Sequence, residues 1–460
     1  MVTAASTLVV LAVIALMIHL QVGEPRLAAV ENPEQALALV VGRTMDVRTA
    51  LDGAAAWERR LYTLTLTDTG SEIGQAIAWY QELAAYSLAP AVDLRLAILL
   101  GEGGQRERLE RMLRQWEGRG DPLATWGSVI APAYLDAARI DAGSAGEALA
   151  ALGPGWFADV LALRLAAHLN DAAMAERARR DIATRSVPLL GRVRALATLD
   201  LILLLLGALA VRPLWRRLEG SRRPVAEAPL PPPWSAGAGL ATLVRGAALA
   251  AVLLLFLLAG GHWFDELALL AGLLDQPLMY LPVLVLAWRT LLVPAGMGFV
   301  AAFGLRPRPD GWRPLAHAVA LFVAAVTVTD VGIGLVSDRL GLASHWAEWF
   351  DADLAWGSPA TIAVTVLAVV VFAPIFEELI FRGLLYGSLR ARFSWPIAGV
   401  ASALVFGLAH GYGTAGFFSV FLSGLLWAWL YERTGSLLPC VAAHVASNAA
   451  VAVTLLALLR

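Results

Sequence analysis

One cysteine, Cys440, stands among 460 residues, so no disulfide can form within the chain and a multi-cysteine metal cluster is excluded. Charge is also scarce. Asp, Glu, Lys and Arg make up 16 % of the residues, against roughly a quarter in soluble domains. A formal net charge of −2 leaves no basic field to recruit nucleic acid. There are seven histidines, few enough to weigh one at a time. Apolar residues, by contrast, reach 58 %. That excludes a disordered or wholly soluble chain and points to several helices in lipid, with enough charge left over for one soluble segment.

The apolar residues are unevenly spread. Residues 1–22 contain the run TLVVLAVIALMI at 7–18. No basic stretch precedes it and no small-residue cleavage site follows, so it reads as a retained membrane anchor. Residues 23–195 regain charge. Amphipathic helical periods at 75–85, 91–100, 106–116 and 159–169 alternate with Gly, Asp and Pro breaks. They predict a soluble all-helical domain, either a TPR-like stack of hairpins or an ordinary bundle. Residues 196–235 combine a second span (196–211), a basic stretch (Arg212, Arg216, Arg217, Arg222, Arg223) and a linker with Pro224, Pro229 and Pro231–Pro233.

Residues 236–460 read as a membrane domain. Its candidate spans are 238–260, 277–303, 314–336, 361–388, 395–411, 415–431 and 437–459, set by the roughly 20 residues a crossing needs. The expectation is an all-α polytopic bundle of about nine spans, with 267–303 counted as one crossing. Arginine-rich loops at 212–223, 306–313 and 390–392, against an acidic 338–353, put the N-terminus inside and residues 23–195 on the extracytoplasmic face. Trp215, Trp234, Trp395, Trp427 and Trp429 sit near span ends and fit an interfacial aromatic belt.

Three short motifs resist a packing explanation. The first is Glu377-Glu378-Leu-Ile-Phe-Arg382, inside an apolar helix. Each buried carboxylate costs about 2.5–3.5 kcal/mol on insertion scales. Glu378 and Arg382, four apart, share a helix face and can neutralise each other. Glu377, about 100° round the helix, points elsewhere and is left as a spare intramembrane carboxylate. The second motif is Phe406-Gly-Leu-Ala-His410, at the end of the next apolar helix. The third is His444-Val-Ala-Ser-Asn448, whose imidazole and carboxamide project from one face of the last helix. His19, His168, His262 and His345 are isolated, and His317 reads as interfacial.

One glutamate, two histidines and an asparagine form a coherent hydrolytic set. A carboxylate in apolar surroundings is suited to taking a proton from water. An imidazole can share that proton or donate to an oxyanion, and a carboxamide is an oxyanion donor. Glu377, His410 and His444 also match a three-ligand catalytic zinc site. Metal-activated and carboxylate-activated water are therefore both open. No HExxH helix is present. Simple counting puts Glu377 mid-helix and His410 at a helix end, a depth difference of about 10 Å that tilt or stagger has to close.

The ordered set EExxxR, FxxxH and HxxxN, with the flanks Phe381-Arg382-Gly383-Leu384 and Arg433-Thr-Gly-Ser-Leu437, resembles the CPBP intramembrane protease family. That family holds the CAAX prenyl endoproteases and the bacteriocin-processing or immunity proteins. The resemblance covers residues 361–460 and says nothing of 23–195. It implies a multi-pass protein of a bacterial cell membrane with its site opening into the bilayer. By the resemblance, Glu377 activates the attacking water with help from His410. His444 and Asn448 stabilise the oxyanion or hold a metal, and Glu378, Arg382 and Phe406 support the site. It implies zinc as an option beside a metal-free glutamate mechanism. The expected partners are a membrane-associated or lipid-modified peptide or protein substrate, the bilayer, and a further protein recruited by 23–195. A non-catalytic or immunity-type binding protein of the same fold is the alternative. A proton-relaying transporter is a third reading, weakened by the lack of an inverted repeat.

Overall fold

A computed structural model describes all residues except 24–26, 28–29, 66–68, 136–141, 221–222, 260–267 and 343. Arg222 and His262 therefore lie outside the described residues, and the side chain of His19 does too. The described residues are helical throughout, with no strand among them. The chain divides into two compact units. One comprises residues 1–23 and 196–456, the other 24–195 and 457–460. The boundary near residue 195 falls within one continuous helix, Ala172–Leu218.

In the unit 24–195, the helix Pro90–Glu102 is the hub. Val92, Leu94, Leu96, Ala97, Ile98, Leu99 and Leu100 are all buried on it. It packs against helices Thr69–Tyr86, Arg106–Glu117, Leu123–Leu135, Ala142–Leu152 and Trp156–Leu169, and Pro33–Asp52 closes on Trp156–Leu169. Solenoid repeats touch only their neighbours in sequence. A helix shared by so many others makes a closed bundle instead, the second of the two expected forms. Arg185 ties it from inside, with Nη2 on Asp159 at 2.6 Å and Nε on Asp46 at 3.1 Å. Burial nevertheless holds the Asp46 and Asp159 carboxyls above their ordinary range, against the pull of that arginine.

Among the described residues, six helices are long and apolar enough to cross a membrane: Ala172–Leu218, Ala236–Phe256, Trp312–Ser337, Pro359–Arg390, Thr414–Thr434 and Leu438–Leu459. The expected total of nine crossings is not confirmed by them. Val2–Leu16 and Trp395–Ala409 are apolar but shorter. The expected span 277–303 is not one helix. Ala268–Ala287 continues as a wider π-helical turn, Trp288–Leu292, and then the chain turns. Pro294 has no N–H to continue the ladder, and Gly296 takes a φ of 67° that a side chain would disfavour.

Small residues let these helices approach closely, as lipid-embedded interfaces require. A Cβ on Gly246 would lie 2.7 Å from the Val283 backbone, and one on Gly207 2.2 Å from the Ala324 methyl. Arg245 donates from Nε and Nη2 to Thr3 Oγ1 at 3.0 and 2.6 Å, which fastens the N-terminal helix to Ala236–Ala259. Asp330 accepts from the Ser419 hydroxyl. The linker is not a loose spacer. Val225 and Ala226 N–H donate to Thr434 O and Ala228 N–H to Gly435 O. Trp234 is buried with its indole N–H on Ser388 Oγ, so it does not belong to an interfacial belt.

Candidate active site

The helix that carries both carboxylates is not a regular α-helix. It runs from Pro359 to Arg390 with two π-helical stretches, Leu367–Phe372 and Glu378–Tyr386. A π turn widens the spiral and frees carbonyls from the regular ladder, and such turns often mark functional sites. Two of those carbonyls are met by side chains. Ser402 Oγ donates to Phe381 O at 2.8 Å, and Asn448 Nδ2 donates to Val369 O at 2.8 Å. At the far end, Tyr386 Oη and Arg390 clamp Glu432, locking this helix to Thr414–Thr434.

Within this frame the three motifs meet. Arg382 Nη1 donates to Glu378 Oε1 at 2.9 Å, and neither side chain is exposed at all. The pairing expected from their spacing is present. The same Glu378 oxygen is 3.0 Å from His444 Nδ1. An Nδ1–H donating to this carboxylate leaves Nε2 with the lone pair. Nε2 faces Glu377 Oε2 at 3.7 Å. Glu377 therefore does not point away from its neighbour's partners. Both carboxylates converge on one imidazole, because its two nitrogens lie on different edges of the ring and bridge the step between adjacent helical positions. At 3.7 Å the Glu377–His444 pair is too long for a direct hydrogen bond, and both groups can turn toward one small guest. The Glu377 side chain keeps 12 % exposure where Glu378 keeps none.

Phe406 joins the second motif to the other two. Its ring is buried, 4.9 Å from Phe381, 4.6 Å from the His410 ring and 6.1 Å from the His444 ring. His410 ends its helix with Nδ1 2.8 Å from Phe406 O. An N–H donated there leaves Nε2 as the available nitrogen. Glu377 lies within electrostatic reach of both His410 and His444. Phe406, in contact with the rings of both His410 and His444, links the helix-end histidine to the glutamate cluster.

Several members of this cluster were not singled out in the motifs. Trp427, expected in the aromatic belt, is buried and stacks on His444, ring centroids 4.1 Å apart and planes at 22°. The Arg382 guanidinium is sandwiched between Phe406 at 4.0 Å and Trp427 at 4.9 Å. Those ring faces partly answer a cation whose Nε and Nη2 have no hydrogen-bond partner. Cys440 is buried and donates its thiol to Trp427 O. Gly424 makes room for the arginine: a Cβ there would sit 2.8 Å from Arg382 Nη2. Gly424→Ala is expected to lower thermal stability by about 1–3 kcal/mol, read from melting of the full chain in detergent. The spacing of Gly424 and Trp427, three apart on one face, was the available signal. At the rim, Gly413 N–H donates to Glu348 Oε2 at 3.2 Å, and Tyr412 packs against His410.

Among the described residues no three His, Cys, Asp or Glu side chains gather so as to hold a metal ion. Glu377 and His444 supply two converging donors where a catalytic zinc takes three protein ligands.

Fold and site together define a class: an all-helical multi-pass membrane bundle with a buried carboxylate–imidazole cluster built from the C-terminal helices Pro359–Arg390, Trp395–Ala409, Thr414–Thr434 and Leu438–Leu459. Residues 359–450 match the family model described as type II CAAX prenyl endopeptidase Rce1-like, the CPBP grouping that the ordered motifs resemble. An Escherichia coli protein described as "Uncharacterized 24.3 kDa protein" is 31 % identical over 132 residues, 28 % of this chain and 59 % of that protein. The chain thus spans less than two thirds of that relative's length. No solved structure matches.

Proposed function

We propose that the protein is an intramembrane endopeptidase that hydrolyses a peptide bond of a membrane-associated or lipid-modified substrate. The observation that carries this reading is the unequal treatment of two adjacent glutamates. Glu378 is neutralised by Arg382 and holds His444 through Nδ1. Glu377 makes no hydrogen bond among the described residues and faces the other nitrogen, Nε2, of the same ring.

In the proposed reaction, a water between Glu377 and the imidazoles gives a proton to Glu377 as its oxygen bonds to the scissile carbonyl carbon. The resulting oxyanion is met by the second N–H of Asn448, whose first is spent on Val369 O, while Nε2 of His410 or His444 accepts the hydrogen that stays on the added oxygen. The C–N bond then breaks, and the Glu377 proton passes to the leaving nitrogen, giving a carboxylic acid and an amine that leave as carboxylate and ammonium once the acid's proton has moved to the amine. Arg382, Phe406 and Trp427 act at one remove by fixing Glu378 and His444. Zinc, if bound, would draw on Glu377, His410 and His444 after rearrangement and would supply Lewis-acid activation of the same water. The proposed steps need only the side chains.

The test uses the full chain in lipid nanodiscs and peptides anchored by either an apolar segment or a prenyl group. Site-specific cleavage, reduced about 10²-fold in His410→Ala with the melting temperature unchanged, is expected. No cleavage of either peptide class, or full activity in His410→Ala, would count against the reading. Residues 24–195 are proposed to lie on the extracytoplasmic face, as the arginine loops imply, and there to recruit a partner or substrate. Their protection from protease added on that side would refute the placement.

A further inference from the structure

The unit 24–195 contains a cavity of about 310 Å³ that the proposed hydrolysis does not use. Its walls come from helices Pro33–Asp52, Pro90–Glu102 and Trp156–Leu169, from residue 185 of Ala172–Leu218, and from the turn at 152–155. Three arginines line it, Arg43, Arg95 and Arg185, against one carboxylate, Asp46.

Their donors are not equally committed. Arg185 is spent on Asp46 and Asp159, and Asp46 is answered in turn. Arg43 and Arg95 are not. The Nε of each is buried with no hydrogen-bond partner. What they do hold is weak: Arg43 Nη2 reaches Arg460 O at 3.4 Å, and Arg95 Nη2 reaches Leu152 O at 3.3 Å. A guanidinium offers five N–H donors, and a buried donor left unmet is costly. The helix Trp156–Leu169 also begins on this cavity. Its N-cap is Gly155, so no side chain covers its first N–H groups. The rings of Trp156 and Phe157 supply an apolar wall beside these donors.

Two guanidinium groups each with an unmet Nε donor, one of them already in the field of Asp46, together with an open helix start and an apolar wall describe the complement of a small amphiphilic anion. We propose that this cavity binds an oxyanion, a carboxylate or a phosphate, carried on an apolar body, with Arg43 and Arg95 as its charged ligands. The volume lies at the lower end of the range for small-ligand sites, and a guanidinium matches either oxyanion with two parallel bonds. The site does not depend on the hydrolytic reading, and its test has its own readout.

Calorimetric titration of the full chain in detergent uses three probes: an N-acetylated Ala-Leu-Ala peptide as the free acid, the same peptide as its carboxamide, and inorganic phosphate. Saturable binding of the free acid, or of phosphate, is expected, with the carboxamide weaker by about tenfold or more. Binding of the acid alone names a carboxylate, and binding of phosphate alone names a phosphoryl group. Arg95→Gln and Arg43→Gln should each weaken the bound anion by about tenfold. Arg95→Lys, which keeps the charge and loses the fork, should fall between and guards against a variant that fails to fold. Failure of both anions to bind at millimolar concentration, equal binding of acid and carboxamide, or unchanged affinity in the folded arginine variants would overturn the proposal.

Discussion

Glu377→Gln is expected to lower the turnover of an anchored peptide by about 10²–10⁴-fold, the usual worth of a positioned general base, while leaving the fold intact. Glutamine keeps the shape of the side chain and loses its capacity to take a proton. Glu377 approaches His444 Nε2 only at 3.7 Å, beyond hydrogen-bond range, so its conversion to an amide breaks no hydrogen bond among the described residues. The loss should fall on kcat, because the base acts on the reacting water and not on the bound peptide. Initial rates and a thermal melt on the same preparations check both halves. A drop in turnover accompanied by a matching drop in stability would mean that Glu377 is structural.

Arg382→Ala should do the opposite. It leaves Glu378 buried without its cation and opens a void between Phe406 and Trp427. Breaking a buried ion pair from one side costs about 3–5 kcal/mol, enough to unfold much of the population of a marginally stable membrane bundle. The double change Arg382→Met with Glu378→Met removes both charges and should recover most of that stability, yet it leaves His444 without the acceptor that orients it. Equilibrium unfolding of the two variants beside the wild type separates these effects. A double variant as unstable as Arg382→Ala would show that the pair contributes through packing rather than through charge.

How far the sequence spoke depended on the range of the interaction. The Glu378–Arg382 pair is local, four residues apart, and its formation was legible from spacing alone. The all-helical character followed from period and composition. The convergence of both glutamates on His444 was not legible. It depends on the register of Leu438–Leu459 against a helix whose local pitch is altered by π turns, and neither pitch nor register is written in a hydropathy pattern. Trp427 was misread for a related reason. A tryptophan near the end of an apolar run looks interfacial, and only the stacking partner three-dimensional packing supplies, His444, shows otherwise. Hydropathy placed the bounds of 277–303 too late: the helix runs from Ala268 through the π turn to Leu292, and Pro294 and Gly296 turn the chain after it. Between a solenoid and a bundle, amphipathic period cannot choose, because both bury the same stripe. The hub position of Pro90–Glu102 makes that choice. The arginines of the 310 Å³ cavity were invisible for the same reason, since Arg43 and Arg95 are brought together from helices far apart in sequence.

The most direct test of the central claim is mass analysis of the products from a membrane-anchored peptide incubated with the full chain in nanodiscs and isotopically heavy water. The account predicts a defined cut, one heavy oxygen on the new carboxylate after a single turnover, and no product from Glu377→Gln. Peptide left intact by the wild-type chain across a broad substrate panel, or the same labelled product formed at the same rate by Glu377→Gln, would contradict it.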